Sequence, residues 1–118
     1  MLEDITSVAL HSALSNLSVR QRATADNVAN LQTPGFLANR VSFESALADA
    51  VASGDRGAVA SSGTSTARSL EPTRQDGNNV NLDRETLIDT ETNLRYSLVS
   101  RAANDKISIL RTSISSGS

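Results

Sequence analysis

The sequence predicts an all-α protein: two long N- and C-terminal helices packing as an antiparallel coiled-coil-like pair, with a flexible or partly ordered middle segment. Three observations carry this. Residues 5–31 contain neither proline nor glycine, and their apolar residues recur every three or four positions. Residues from Leu82 to about Ser115 do the same, with their acids placed before their bases. Between the two, residues 53–76 are small and polar, with almost nothing to bury. The expected divisions are 1–36 for the N-terminal helix and its turn, 37–80 for a short helix plus flexible linker, and 81–118 for the C-terminal helix.

In the first helix Leu10, Leu14, Leu17, Gln21, Ala25, Val28 and Leu31 form a narrow seam, broadened at the front by Ile5, Val8 and Ala9. A seam this narrow suits a coiled-coil-like partner, and an ordinary amphipathic helix in a bundle shows the same periodicity. Arg20 and Arg22 read as a solvated face or as salt-bridge partners. The helix should stop at about Gln32, because Thr33 precedes a proline and is biased away from helical angles. In Thr33-Pro34-Gly35-Phe36 proline presets φ, and glycine supplies the positive φ that a type II turn needs. Asn27 and Asn30 share a helix face and bring two amides beside that turn, able to bond freed carbonyls or a neighbouring chain.

After the turn, the alternation of Val41 and Phe43 permits a short extended piece. Ser42 can cap a short helix through about Ala52, with Phe43, Leu47, Ala50 and Val51 on one side and Gly54 ending it. A second turn is expected at Gly77, Asn78 and Asn79, after which Asn81 can cap the last helix. Asp83, Glu85, Asp89 and Glu91 then precede Arg95, Arg101, Lys106 and Arg111, matching the helix dipole, and Glu91 stands four residues before Arg95 in the favourable order. Two apolar stripes mark this helix. Leu87, Leu94 and Leu98 are expected to face the first helix, leaving Tyr96, Val99, Ala103, Ile107, Leu110 and Ile114 for neighbouring subunits. A three-helix bundle, in which the short middle helix covers the second stripe, is the competing arrangement. Residues 115–118 read as a frayed end.

Composition narrows the function. With 118 residues, 3% aromatics and no tryptophan, a large self-contained core is not expected. A net charge of −2 offers no field for nucleic acid or an anionic bilayer. Without cysteine there is no disulfide framework or thiolate metal site. The single histidine, His11, has no acid or thiol partner in sequence with which to build a catalytic set, and no glycine-rich phosphate loop follows a strand. Asp76 to Glu85 lacks the acid spacing of a calcium loop. No catalytic, cofactor or metal residues are therefore expected. The acidic start, Met1-Leu2-Glu3-Asp4, is unlike a secretory leader, and no apolar run has the length of a membrane span.

Asn27-Val28-Ala29-Asn30-Leu31-Gln32-Thr33-Pro34-Gly35-Phe36 resembles the Asn-Ile-Ala-Asn-x-x-Thr-Pro-Gly-Tyr stretch of the bacterial flagellar axial proteins, the rod, hook and hook-associated proteins. Val28 stands for isoleucine, Phe36 for tyrosine, and Asp26 for an asparagine often seen in rod proteins. Asp76-Gly77-Asn78-Asn79-Val80, with Asp83 and Glu85 beyond it, resembles the Asp-Gly-Asn-Asn-Val-Asp-x-x-x-Glu stretch of proximal rod proteins. The resemblance implies a structural subunit of the proximal rod, assembling into a helical tube that transmits motor torque, with copies of itself and other rod proteins as partners, along with membrane-ring and export-apparatus components. It implies a basal-body location crossing the periplasm, reached through the flagellum's own type III export channel without a cleaved signal peptide. Subunit-interface roles are expected for Leu10, Leu14, Leu17, Val28 and Leu31, and for Leu94, Leu98, Val99, Ala103, Ile107, Leu110 and Ile114. Asn27, Asn30, Thr33, Pro34, Gly35, Phe36, Gly77, Asn78, Asn79 and Val80 are the motif and turn residues. The alternatives are a small helical export chaperone or adaptor, another small rod subunit, or a small enzyme or enzyme regulator such as a wall-hydrolase activator.

Overall fold

The computed structural model describes residues 4–116. In chain order the elements are α1 (Ile5–Ala29), β1 (Asn39–Ser42), α2 (Glu44–Ser53), α3 (Arg56–Ser61), β2 (Ser65–Arg68) and α4 (Leu82–Ser116). α1 opens at Asp4, whose carboxylate accepts the Ser7 backbone N–H at 2.9 Å and so satisfies one of the free donors of a helix start. α4 opens at Asn81 in the same way, its side-chain oxygen accepting the Arg84 N–H at 3.2 Å. The two helices are antiparallel: Asp4 meets Lys106 at 2.9 Å, Gln21 meets Asn93 at 2.7 Å and Asn27 meets Glu85 at 3.1 Å. The result is a slender body of 67 × 25 × 14 Å, its length set by the 35 residues of α4.

The all-α expectation is corrected by a small sheet. β1 and β2 pair antiparallel, Asn39 opposite Arg68 and Ser42 opposite Ser65. β2, Ser-Thr-Ala-Arg, is exposed along its whole length and has no apolar alternation, so its backbone ladder holds it rather than side-chain burial. The Ser69 N–H continues that ladder to the Ala38 carbonyl at 2.7 Å. The stretch expected as a flexible connector also forms α3, whose N-cap Asp55 accepts the Gly57 N–H and whose Val59 is fully buried. At α2 the stop is as expected, with Gly54 at φ 75°, but the start is not: Ser42 ends β1, and the N-cap is Phe43, which makes no side-chain cap bond.

Burial on α1 follows a polar face. Its buried residues are Ser12, Asn16, Leu17, Thr24 and Asn27, so the leucine seam supplies only Leu17, while Val28 is exposed. The polar groups are there to hold backbone. Ser12 Oγ donates to the Val59 carbonyl at 2.9 Å and Asn16 to the Ser62 carbonyl at 3.3 Å, fastening α3 and its exit. Arg20 donates to the Val41 carbonyl and to Glu44, fastening β1 and α2, and stacks over the Phe43 ring at 4.8 Å. Leu10 and Leu14 are half-buried in a groove they share with Ala103 and Ile107 of α4.

On α4 the expected order of the two stripes is reversed except at Ile107 and Ile114 of the second, which are exposed. Leu87, Leu94 and Leu98 are 55%, 61% and 57% exposed, whereas Tyr96, Val99, Ala103 and Leu110 are half-buried and Glu85 and Thr92 fully buried. Arg95 pairs across the fold with Glu44 at 2.6 Å rather than along its own helix with Glu91. Glu44 thus bridges Arg20 and Arg95, joining α1, α2 and α4.

Candidate functional site

The two sequence motifs, one ending α1 and the other preceding α4, meet in one knot at the end of the helical pair. α1 ends through the Asn30 N–H, which bonds the Asp26 and Asn27 carbonyls at 3.1 Å, and the Leu31 N–H, which bonds the Val28 carbonyl. The Phe36 N–H then bonds the Thr33 carbonyl at 3.2 Å with Gly35 at φ 74°, the type II turn that proline and glycine dictate. The second motif makes its own turn, with the Gly77 N–H on the Arg74 carbonyl at 2.9 Å and Gly77 at φ 85°. Among the described residues Asn78 and Asn79, also expected to tolerate positive φ, do not adopt it.

Backbone bonds join the turns: the Gly35 N–H to the Asp76 carbonyl at 2.9 Å, and the Asn79 N–H to the Phe36 carbonyl at 3.1 Å. The glycines lie back to back, and a Cβ on Gly77 would sit 3.3 Å from the Gly35 Cα. Each glycine is therefore needed for its positive φ, and Gly77 also for the close approach.

The two asparagines finish the knot, and both are buried. The Asn78 amide donates to the Asn30 and Thr33 carbonyls at 2.9 and 2.8 Å, while its oxygen accepts the Val80 N–H at 2.7 Å. The Asn79 oxygen accepts the Ala38 N–H at 2.7 Å, and its amide donates to the Ser69 and Glu71 carbonyls, both at 3.1 Å. An amide suits these places because each must donate on one side and accept on the other. Arg74 clamps the outside, donating to the Leu31 and Val80 carbonyls. Thr33 Oγ1 donates to Asn30 Oδ1 at 3.0 Å, and Pro34 is exposed at the tip. Phe36 lies 5.8 Å beneath the Arg68 guanidinium.

Behind the knot is a polar triad in which Asn27 and Glu85 are buried and Arg40 is part-buried. Asn27 exchanges two bonds with the Asn39 backbone, at 3.0 and 2.9 Å, and donates to Glu85 at 3.1 Å. Glu85, 0% exposed, also takes the Arg40 guanidinium at 2.6 Å. Arg40 Nη2 lies 3.5 Å from Glu71, an ionic contact beyond hydrogen-bond length, and Glu71 pairs with Arg84 at 3.1 Å.

Sequence reasoning named the residues of both motifs without placing the two turns together, and it missed Arg74, Arg40 and the linking role of Glu85. The interface candidates divide: Leu17 is 2% exposed and packs within its own chain, whereas Leu94, Leu98, Ile107 and Ile114 are exposed. Among the described residues no group of His, Cys, Asp and Glu could hold a metal, and no helix is long and apolar enough to cross a membrane.

The chemistry of this site is structural: the asparagines, Arg74 and Glu85 are spent on backbone or on neighbouring side chains, while the buried Arg40 Nη2 makes no hydrogen bond. The family model described as flagella basal body rod protein matches residues 9–36, which run from the leucine seam through the Pro34-Gly35 turn to Phe36. Over that stretch the chain is similar to the flagellar basal-body rod proteins. The chain is 29% identical, over 92% of both chains, to the flagellar basal body rod protein FlgB of Bacillus subtilis. It is 44% identical to FlgB of Borreliella burgdorferi over 46 residues, 39% of this chain and 34% of that one.

Proposed function

We propose that the chain is a structural subunit of the proximal rod, built into a helical tube with copies of itself and other rod proteins, and that it carries torque through packed helices rather than by any catalytic step. The observation that carries this reading is the knot. Two motifs some forty residues apart in the sequence are there to fix one rigid end on an elongated helical pair, and they leave apolar residues along that pair facing outward. A heterologous lattice, in which one face of a subunit meets a different face of the next, uses surfaces of this kind. In this reading residues 1–36 and 81–118 form the rod core, and Leu94, Leu98, Ile107 and Ile114 meet neighbours. Val28 and Leu31 beside the knot do so too, and the part-covered Leu10, Leu14, Val99, Ala103 and Leu110 complete the helix faces.

The subunit travels through the flagellum's own export channel without a cleaved leader, in a largely unfolded form, and orders when its apolar faces are covered at the growing tip. Membrane-ring and export-apparatus components are its neighbours at the base. The test is deletion of the gene in its source organism, with electron microscopy of purified basal bodies and a motility assay. Membrane rings lacking rod and hook, restored by the intact gene, are expected; normal motile flagella would contradict a rod role.

A further inference from the structure

α4 could offer either of two apolar stripes to α1, and the richer of them in leucine faces outward. At 3.6 residues per turn, Leu87, Leu94 and Leu98 lie about half a turn round the helix from Glu85. Ile88, Thr92, Tyr96, Val99, Ala103 and Leu110 lie near Glu85 on the inward side. Apolar burial alone does not decide between the faces, because turning three leucines in would turn Ile88, Tyr96, Val99, Ala103 and Leu110 out. Packing in the knot-proximal half of the helix pair does not decide it either. An open cleft of about 320 Å³ lies there, lined by Ala23, Thr24, Ile88 and Thr92 together with Arg20, Arg40 and Arg95. Polar contacts hold that half: Gln21 with Asn93 at 2.7 Å and Arg95 with Glu44 at 2.6 Å near the surface, and at its centre the fully buried Glu85, fixed by Arg40 of β1 at 2.6 Å and Asn27 of α1 at 3.1 Å.

We infer that the Asn27–Arg40–Glu85 triad selects which face of α4 turns inward, and thereby keeps the leucine stripe outside for a neighbouring chain. A buried ion pair is costly to desolvate and adds little stability over apolar replacements, but it can form in only one arrangement. Rolling α4 to bury the leucines would carry Glu85 to the surface and strand Arg40 and Asn27 without it, so the triad penalises the competing packing. The outward leucine face is a product of the polar triad and not a residue of poor packing. This holds for the isolated chain, whatever it assembles into.

The chain has no cysteine, so a single introduced thiol reports one position. Thr92→Cys and Leu98→Cys are placed separately in the otherwise unaltered full-length chain and in one carrying Glu85→Leu with Arg40→Leu, which removes both charges together. Thiol modification rates are measured beside helix content by circular dichroism. In the unaltered background the thiol at position 98 is expected to react quickly and that at 92 slowly, and in the double variant the order inverts while helix content is kept. An unchanged order in the double variant overturns the inference. So does equal reactivity at the two sites in the unaltered background. Loss of helix in the double variant also overturns it, because the pair would then act as a stabiliser and not as a selector. Glu85→Gln, which keeps a bond to Asn27 but loses the charge, should show protection at position 92 between those of the two backgrounds.

Discussion

At the scale of single residues, the knot depends on groups that have no substitute. Asn79→Ala leaves the buried Ala38 N–H without its acceptor and two carbonyls without a donor. We expect it to lower the unfolding free energy by about 2–3 kcal/mol, read as a fall in the urea midpoint at unchanged slope. Asn78→Asp is the sharper test of the amide, because a carboxylate in that place faces the Asn30 and Thr33 carbonyls with nothing to donate. It should destabilise at least as much as Asn78→Ala. Gly77→Ala forces a side chain into φ 85° and to 3.3 Å from the Gly35 Cα, and should cost about 1–2 kcal/mol in the same assay. The Pro34-Gly35 turn was legible in the sequence because its cause is local. The partners of Asn78 and Asn79 were not, since both side chains bond backbone more than forty residues away, and a sequence shows the amide without showing what it meets.

Among elements, α1 and α4 were legible from apolar periodicity and from the absence of breakers, and the short α2 from its glycine stop. β2 was not, because a fully exposed strand carries no alternation to read. The orientation of α4 was misread for a related reason. Apolar periodicity shows two stripes without showing which meets α1, and we infer that the decision rests on a buried carboxylate whose partners lie on α1 and β1. The polar face of α1 looks like a solvated surface in the sequence, yet Ser12, Asn16 and Arg20 are what hold α3, β1 and α2 in place.

The docking of α2 also gives a pH dependence. The Arg20 guanidinium bonded to Glu44 holds that carboxyl down to about 2 from its usual 4.5, against partial desolvation. A carboxyl depressed in the folded state contributes its stability above the unfolded value and loses it as the pH falls through the folded one. The contribution is therefore full above about 4.5 and is lost towards about 2. The pair is partly exposed, so added salt should weaken it. Carboxyl-resolved NMR titration checks this, and Glu44→Gln should remove that part of the acid dependence. Asp4 is likewise held down to about 2, first by its hydrogen bond from Lys106, so the α1–α4 end contact loosens over the same acid range.

For the whole molecule, the architecture is a helical pair with a rigid knot at one end and α4 running on at the other. Ile109 and Ile114 on that last stretch are 65% and 74% exposed, and Leu70 beside the knot is 99% exposed. A chain this slender buries few large side chains, and much of what it does bury is polar. Its shape is therefore specified by hydrogen bonds more than by core volume, and its ordering is expected to improve when neighbours cover the exposed faces. Native-state amide exchange of the purified chain should show protection of α1 and α4 well below that reached in assembled rods. Full protection in the monomer would contradict ordering at the growing tip.

The most direct measurement returns Gly35→Val to a strain deleted for the gene, with basal bodies imaged by electron microscopy and the level of the variant chain checked beside the intact one. Valine cannot readily take φ 74°, so the turn that seats the two motifs should fail. We expect membrane rings without rods despite a normal level of the chain, with rods restored by the intact gene. Complete rods built from the variant would contradict the claim that the knot is what makes this chain a rod subunit.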